Sequence, residues 1–245
     1  MSAKPAQWLG LVTLGMMTAA IFMVFVYVPT EAQQGIVQRI FYFHVPCAWV
    51  AFAAFALVAL SGTFYLWFGQ QVWDDLGYAA AEVGMLFCTL VLITGSIWAK
   101  PIWGAWWTWD SRLTTTLVLW LLYAGYLMLR VMAAEIPQVG RLAAVVGIVA
   151  AADVPVIIVS VRLWRTIHPA VLVTRQGGHG LEDPRMIATL LVSIVAFTAL
   201  WLWLLMLRFA TLRTKTRIDN LHRELLLVEA ELADRSIQAR LSPST

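Results

Sequence analysis

The fold is decided by stretches such as MIATLLVSIVAFTALWLWLLMLRF, residues 186–209, which carries no charged side chain before Arg208. A helix needs about 20 largely apolar residues to cross the hydrocarbon core of a bilayer. This stretch is long enough and apolar enough to do so. It therefore predicts a transmembrane helix.

Five further stretches of this kind precede it along the chain. Of the 245 residues, 61% are hydrophobic and 13% are charged, whereas an ordinary soluble domain is about 45–50% apolar and about 25% charged. The sequence therefore predicts an all-α, polytopic membrane protein. The six predicted spans are Leu9–Val28, Cys47–Phe68, Gly77–Trp98, Leu113–Met132, Leu142–Ser160 and Met186–Phe209.

Six spans fix which connections share a side of the membrane. The long connections, 29–46, 99–112 and 161–185, must lie on one side, called here the long-loop side. Both termini and the short connections, 69–76 and 133–141, must lie on the other, called here the tail side. Cations near span ends are balanced between the two sides, but the basic cluster at 208–217 favours cytoplasmic termini. The net charge of +3 gives no reason to expect a nucleic-acid partner.

After Phe209 the chain becomes polar, and we divide it into a membrane domain, 1–210, and a cytoplasmic amphipathic tail, 211–245. Apolar residues in the tail alternate three and four positions apart, which is the spacing of a short coiled coil. This stripe either rests on the protein's own loops or binds a partner, and the sequence leaves both open. Its members are Ile218, Leu221, Leu225, Val228 and Leu232.

The connection at 98–114, WAKPIWGAWWTWDSRLT, contains five of the 13 tryptophans. If the chain is helical after Pro101, Trp103, Trp106, Trp107 and Asp110 share one face. Such a shelf would fit a flat, apolar ring system, and the neighbouring cations would pair with acidic substituents on it. The alternative is an interfacial aromatic belt. The further residues of this stretch that we assign to the site are Trp98, Trp109 and Arg112.

Three histidines lie on the same side as this connection. His44 precedes Pro46, which we expect to begin the second span as its first helical residue, and His168 follows the fifth span. Imidazole is a common axial ligand of heme iron. His44 and His168 are therefore the candidate iron ligands, with His179 a weaker third candidate on the same side.

Two acidic residues fall inside predicted spans, Glu82 in the third and Asp153 in the fifth. Charge inside a membrane is costly and often functional, so a proton path is one interpretation. We expect structural roles instead, with no basic partner at the depth of either residue.

The residues of the tryptophan-rich stretch, together with Arg39-Ile-Phe-Tyr-Phe-His44-Val-Pro46, closely resemble the WWD-type and first histidine motifs of the cytochrome c maturation protein C family. The resemblance extends over residues 8–210. Around the second histidine, Leu163 stands where the family usually has tryptophan, and Pro169 where it usually has glutamine.

The resemblance implies that heme b is held at the outer face of the inner membrane between His44 and His168, with Arg39 and Arg112 at positions associated with the heme propionates. It implies a heme-handling protein rather than an enzyme. It also implies three kinds of partner: a membrane-anchored heme chaperone, ABC-transporter-like subunits and a small membrane subunit. An integral b-type cytochrome is the alternative, although such proteins usually hold their ligands within helices.

Overall fold

The computed structural model describes residues 3–133, 136, 138–164, 181 and 183–241. Six of its helical segments are long and apolar enough to cross a membrane, which confirms the predicted number of spans. The helices are α1 Ala3–Phe22, α2 Phe41–Phe68, α3 Gln71–Trp103, α4 Ser111–Met132, α5 Val139–Ala151, α6 Asp153–Leu163 and α7 Pro184–Leu241.

Several helices start or end differently from the predicted spans. α1 continues as a π-helical turn, Met23–Tyr27, and α2 is preceded by a 3-10 turn, Ile36–Ile40. Our expectation that Pro46 begins the second span is wrong, because α2 begins at Phe41 and contains Pro46 in its second turn. The fifth span consists of α5 and α6, which are separated at Ala152.

α2 lies at the centre of the bundle and packs against α3, α5 and α7. Small residues allow the close approach. A Cβ added to Gly84 would lie 2.9 Å from the Cβ of Ala54, and one added to Gly147 would lie 2.9 Å from a methyl of Val58. These glycines therefore permit helix contacts that a larger side chain would prevent, as is common at membrane helix interfaces.

An aromatic contact joins α2 to α4 in the core. The rings of Phe55 and Tyr123 are stacked with 3.8 Å between centroids. The Tyr123 hydroxyl donates to the backbone carbonyl of Gly147 over 3.0 Å, so this buried polar group has its partner.

On the tail side, charged side chains are paired between helices. Arg130 at the end of α4 donates to both carboxylate oxygens of Asp74, at 2.5 and 2.9 Å. Arg208 on α7 makes two such bonds to Glu82, at 2.5 and 2.7 Å. Our expectation that Glu82 has no basic partner is therefore wrong, because α3 and α7 are neighbours and bring the two side chains to one depth.

The other acidic residue inside a span, in the fifth, is not paired in this way. Asp153 begins α6, directly after the break at Ala152. Its buried Oδ2 has no hydrogen-bond partner among the described residues. Asp153 therefore stands at a helix break, and its Oδ2 makes no bond to another helix within the described residues.

α7 continues without interruption from its span to Leu241. Arg213 and Thr216 contact the Asp75 carboxylate at 3.2 and 3.1 Å, and Leu212 is buried against the bundle. Beyond them the apolar stripe of the tail is more than half exposed at each of its five members. It does not rest on any described loop, which favours the second of our two interpretations, a tail that binds a partner.

Candidate functional site

The site is built where α2 begins and α3 ends, on the long-loop side. His44, in the first turn of α2, is buried, with 8% of its surface exposed. Its ring lies 5.8 Å from that of Trp98, centroid to centroid, at an angle of 64°. Trp98 is itself 8% exposed. The first predicted iron ligand and the first tryptophan of the motif are therefore in contact.

A threonine holds the His44 ring. Nδ1 of His44 lies 3.0 Å from the hydroxyl oxygen of Thr94. That hydroxyl donates its single proton to the carbonyl of Leu90, over 2.6 Å. It must therefore accept a hydrogen bond from Nδ1–H, which in a neutral ring leaves Nε2 as the basic nitrogen. This is the tautomer that a metal-binding imidazole needs.

The neighbour of Thr94 brings the ring close to α3. A Cβ added to Gly95 would lie 3.1 Å from Cε1 of His44. Neither Thr94 nor Gly95 is among the site residues predicted from the sequence. One signal was present, because Thr94 stands four residues before Trp98 and so lies on the same face of a helix.

The first long loop is attached to the same tryptophan. The indole N–H of Trp98 donates to the side-chain oxygen of Gln34 over 3.0 Å. Gln34 is positioned by a turn in which the Glu31 carboxylate accepts from the backbone N–H of Gln33 and of Gln34. Gly35 ends the turn with a φ of 62°, in the region that favours glycine. This contact joins the first long connection to the end of α3, where the second long connection begins, and it agrees with their assignment to one side.

The tryptophan-rich connection is not helical throughout, so our helical shelf is wrong. α3 ends at Trp103, and Gly104 follows with a φ of 75°. This left-handed residue stops the helix, since only glycine adopts it without strain. The Lys100 ammonium donates to the Gly104 carbonyl over 3.0 Å and holds the turn.

After that turn the connection runs as non-helical chain to Asp110. The rings of Trp107 and Trp109 meet edge to face, with 5.9 Å between centroids. Trp103 and Trp107 are partly buried, whereas Trp106 and Trp109 are 58% and 77% exposed. The loop thus presents two indoles outward and keeps two against the protein.

Asp110 acts on the next helix. Its carboxylate accepts from the backbone N–H of Arg112 over 3.0 Å and caps α4, as aspartate commonly does at this position. Arg112 is partly buried in the first turn of α4. The structure therefore places these two predicted site residues beside one another, directly after the tryptophans.

Arg39 lies in the 3-10 turn before α2. One of its terminal nitrogens donates to the carbonyl of Phe25 over 3.1 Å. The second predicted iron ligand, His168, and the alternative, His179, lie outside the described residues.

Buried polar atoms without partners are concentrated in this region. Of the ten such side-chain atoms in the described part of the chain, four fall between residues 107 and 114, and a fifth belongs to Arg39. Leaving a buried donor or acceptor unsatisfied costs about 1–3 kcal/mol each, so this grouping points to a polar ligand. The five atoms are Arg39 Nε, Trp107 Nε1, Thr108 Oγ1, Ser111 Oγ and Thr114 Oγ1.

Comparison with known proteins gives one consistent match. Residues 1–224 fit the family model described as heme exporter protein C, and the match ends part way along α7. The chain is 34% identical to heme exporter protein C of Bradyrhizobium diazoefficiens over 89% of its own length and 82% of that protein. It is 33% identical to the protein of that name from Escherichia coli K12, over 84% and 82% of the two chains. For that of Haemophilus influenzae the identity is 34%, over 75% and 74%.

Proposed function

This chain belongs to the heme exporter protein C family, and we propose that it binds heme b on the long-loop side of the membrane and presents it to a membrane-anchored heme chaperone. The hand-over serves the biogenesis of c-type cytochromes. The protein acts as a carrier within a heme export complex that also contains ABC-transporter-like subunits and a small membrane subunit.

The observation that carries the proposal is the His44 ring, held by Thr94 beside Trp98. Iron coordination requires a fixed imidazole whose remaining nitrogen is basic, and the hydrogen bond to Thr94 supports that state. His44 lies within one turn of the start of α2. A ligand so near the membrane face suits transfer to a second protein better than electron flow through the bilayer.

The residues around His44 match the rest of the heme molecule. Indole rings at Trp103, Trp106, Trp107 and Trp109 would pack against the porphyrin and exclude water from it. Arg39 and Arg112 would pair with the two propionates, since a guanidinium binds a carboxylate through parallel hydrogen bonds. The unpartnered polar atoms at residues 107–114 support an acidic ligand edge at this place.

We propose His168 as the second residue that would coordinate the heme iron. It follows α6 on the same side of the membrane as His44, by the order of the six spans.

A spectrum of the purified protein tests the iron ligands. Wild-type protein should contain low-spin heme b. A His44→Gly variant should hold its heme loosely and in a five-coordinate form, and added imidazole should restore the low-spin spectrum. The same is expected of His168→Gly, and loss of both should abolish retention.

His179→Ala is the matched control and should leave the spectrum unchanged. A His44→Gly variant with an unaltered low-spin spectrum would contradict the proposal for the first ligand. A normal spectrum in His168→Gly, with loss in His179→Ala, would assign the second ligand to the glycine-rich segment instead.

We also propose that the membrane is the bacterial inner membrane, with the heme site facing the periplasm and both termini in the cytoplasm. Reporter fusions after residues 34, 105, 175 and 240 distinguish the two sides. The first three should report the periplasm and the last the cytoplasm. A fusion at 240 that reports the same side as the fusion at 105 would contradict this topology.

A further inference from the structure

The exposed end of α7 carries an apolar stripe that no described residue covers. After the contact of Thr216 with Asp75, the five stripe residues between Ile218 and Leu232 are 53% to 61% exposed. Leu226 and Leu227 lie outside the stripe, on the outer part of the helix, and are 51% and 67% exposed. So large an apolar surface on a water-facing helix indicates a binding face.

Charge along the stripe limits what can bind there. In a coiled-coil assignment with Ile218, Leu225 and Leu232 at position a, the flanking e and g positions are occupied by acidic residues and one histidine. No lysine or arginine stands at those positions between Ile218 and Leu232. The flanking residues are His222, Glu224, Glu229 and Glu231.

A second copy of this chain fits the stripe poorly. The stripe belongs to the same continuous helix as the sixth span, so two copies in one membrane would extend their tails in the same direction and from the same height. Their stripes would then pair in parallel and in register. That arrangement places Glu224 of one copy opposite Glu229 of the other, where like charges repel.

A lipid surface fits it poorly as well. Helices that lie on membranes carry lysine and arginine beside their apolar face, because the cytoplasmic leaflet is negatively charged. The flanks of this stripe have the opposite sign.

We propose that residues 218–232 bind an amphipathic helix of a different protein, one whose apolar stripe is flanked by lysine or arginine. The partner's cations would pair with Glu224, Glu229 and Glu231, while its apolar residues would cover Leu221 and Leu225. The contact spans little more than two heptads, so the affinity is modest and depends on salt. This inference does not depend on heme binding.

The test uses the full-length protein in phosphatidylcholine nanodiscs and two synthetic three-heptad peptides. Both peptides have leucine at positions a and d, and they differ in carrying lysine or glutamate at e and g. Fluorescence anisotropy should show the lysine peptide binding at least tenfold more tightly, with most of that preference lost in high salt. Glu224→Lys combined with Glu229→Lys should reverse the preference.

Controls separate the stripe from general adhesion. Leu221→Gln with Leu225→Gln should abolish peptide binding, whereas Arg223→Ala, on the opposite face of the helix, should leave it unchanged. Equal binding of both peptides, or none, would overturn the proposal. So would equal binding of the lysine peptide to empty nanodiscs, which would indicate a lipid effect. Efficient disulfide formation between two Leu225→Cys chains would assign the stripe to a homodimer and overturn it too.

Discussion

The two ends of the helix bundle differ in how their polar side chains are paired. At the tail side, Asp74 is paired with Arg130, and Glu82 with Arg208. At the long-loop side, buried polar atoms of Trp107, Thr108, Ser111 and Thr114 have no hydrogen-bond partner in the part of the chain that the structure describes. The ion pairs of the tail side hold helices together, although the buried Ser61 hydroxyl, which lies beside Gly77 on that side, has no partner among the described residues. The long-loop side carries an energetic cost that a polar ligand would remove.

The largest effect on stability is expected at the tail side. The Arg130 and Asp74 side chains are 8% and 9% exposed, so Asp74→Ala would leave a buried, uncompensated guanidinium. Breaking a buried pair in this way costs about 3–5 kcal/mol. Reversible unfolding in bicelles should show a loss of that size, with a normal heme spectrum in the protein that remains folded.

The paired variant Asp74→Leu with Arg130→Met serves as the control. Replacing both partners by apolar residues is often neutral, so it should recover most of the lost stability. A loss below about 1 kcal/mol in Asp74→Ala would mean that this end is less dependent on its ion pairs than the contrast requires.

A smaller effect, on binding rather than stability, is expected from Thr94→Val. The substitution keeps the side-chain shape but removes the oxygen that accepts from Nδ1 of His44. Loss of a group that orients a metal ligand typically weakens binding by about 10–100-fold. Heme titration followed in the Soret band should show a loss near the lower limit, and Thr94→Ser should retain the wild-type affinity.

A double substitution tests whether Thr94 acts through His44. Once His44→Gly has removed the ring, Thr94→Val should have no further effect on heme affinity. An equal effect in both backgrounds would assign Thr94 a role in packing α3 instead.

The smallest effect is expected from a substitution that should raise the stability of the ligand-free protein and lower its affinity for heme. Ser111→Ala removes a buried hydroxyl that lacks a partner, and it should stabilise the ligand-free protein by about 1 kcal/mol. It should also weaken heme binding a few-fold. Thr116→Val is the matched control, because that hydroxyl already bonds to the Arg112 carbonyl at 2.7 Å. A destabilised Ser111→Ala variant would remove the distinction between the two ends.

The spans could be predicted from sequence because hydrophobicity is a local property. The length and hydrophobicity of the run from Met186 to Phe209 predict a transmembrane helix without reference to any other residue. The pairing of Glu82 with Arg208 could not be predicted in this way, since hydropathy does not state which helices are neighbours.

The errors at the site have a related cause. The spacing of the tryptophans suggested a helical face, but Gly104 adopts a positive φ and ends α3. A glycine at this position is a signal for the end of a helix, but the prediction gave more weight to the spacing of the tryptophans. Thr94 was overlooked because a lone hydroxyl in an apolar run usually bonds to its own helix, as this one also does.

The unbroken course of α7 gives the molecule a mechanical property. At ~1.5 Å per residue, its 58 residues form a rod about 87 Å long. The rod begins on the long-loop side, where the candidate site lies, and ends on the tail side. A tilt of about 5° about one end would move the other end by about 8 Å. A force on the tail would therefore tilt the whole helix, which has no hinge, and would move the start of α7 beside the candidate site.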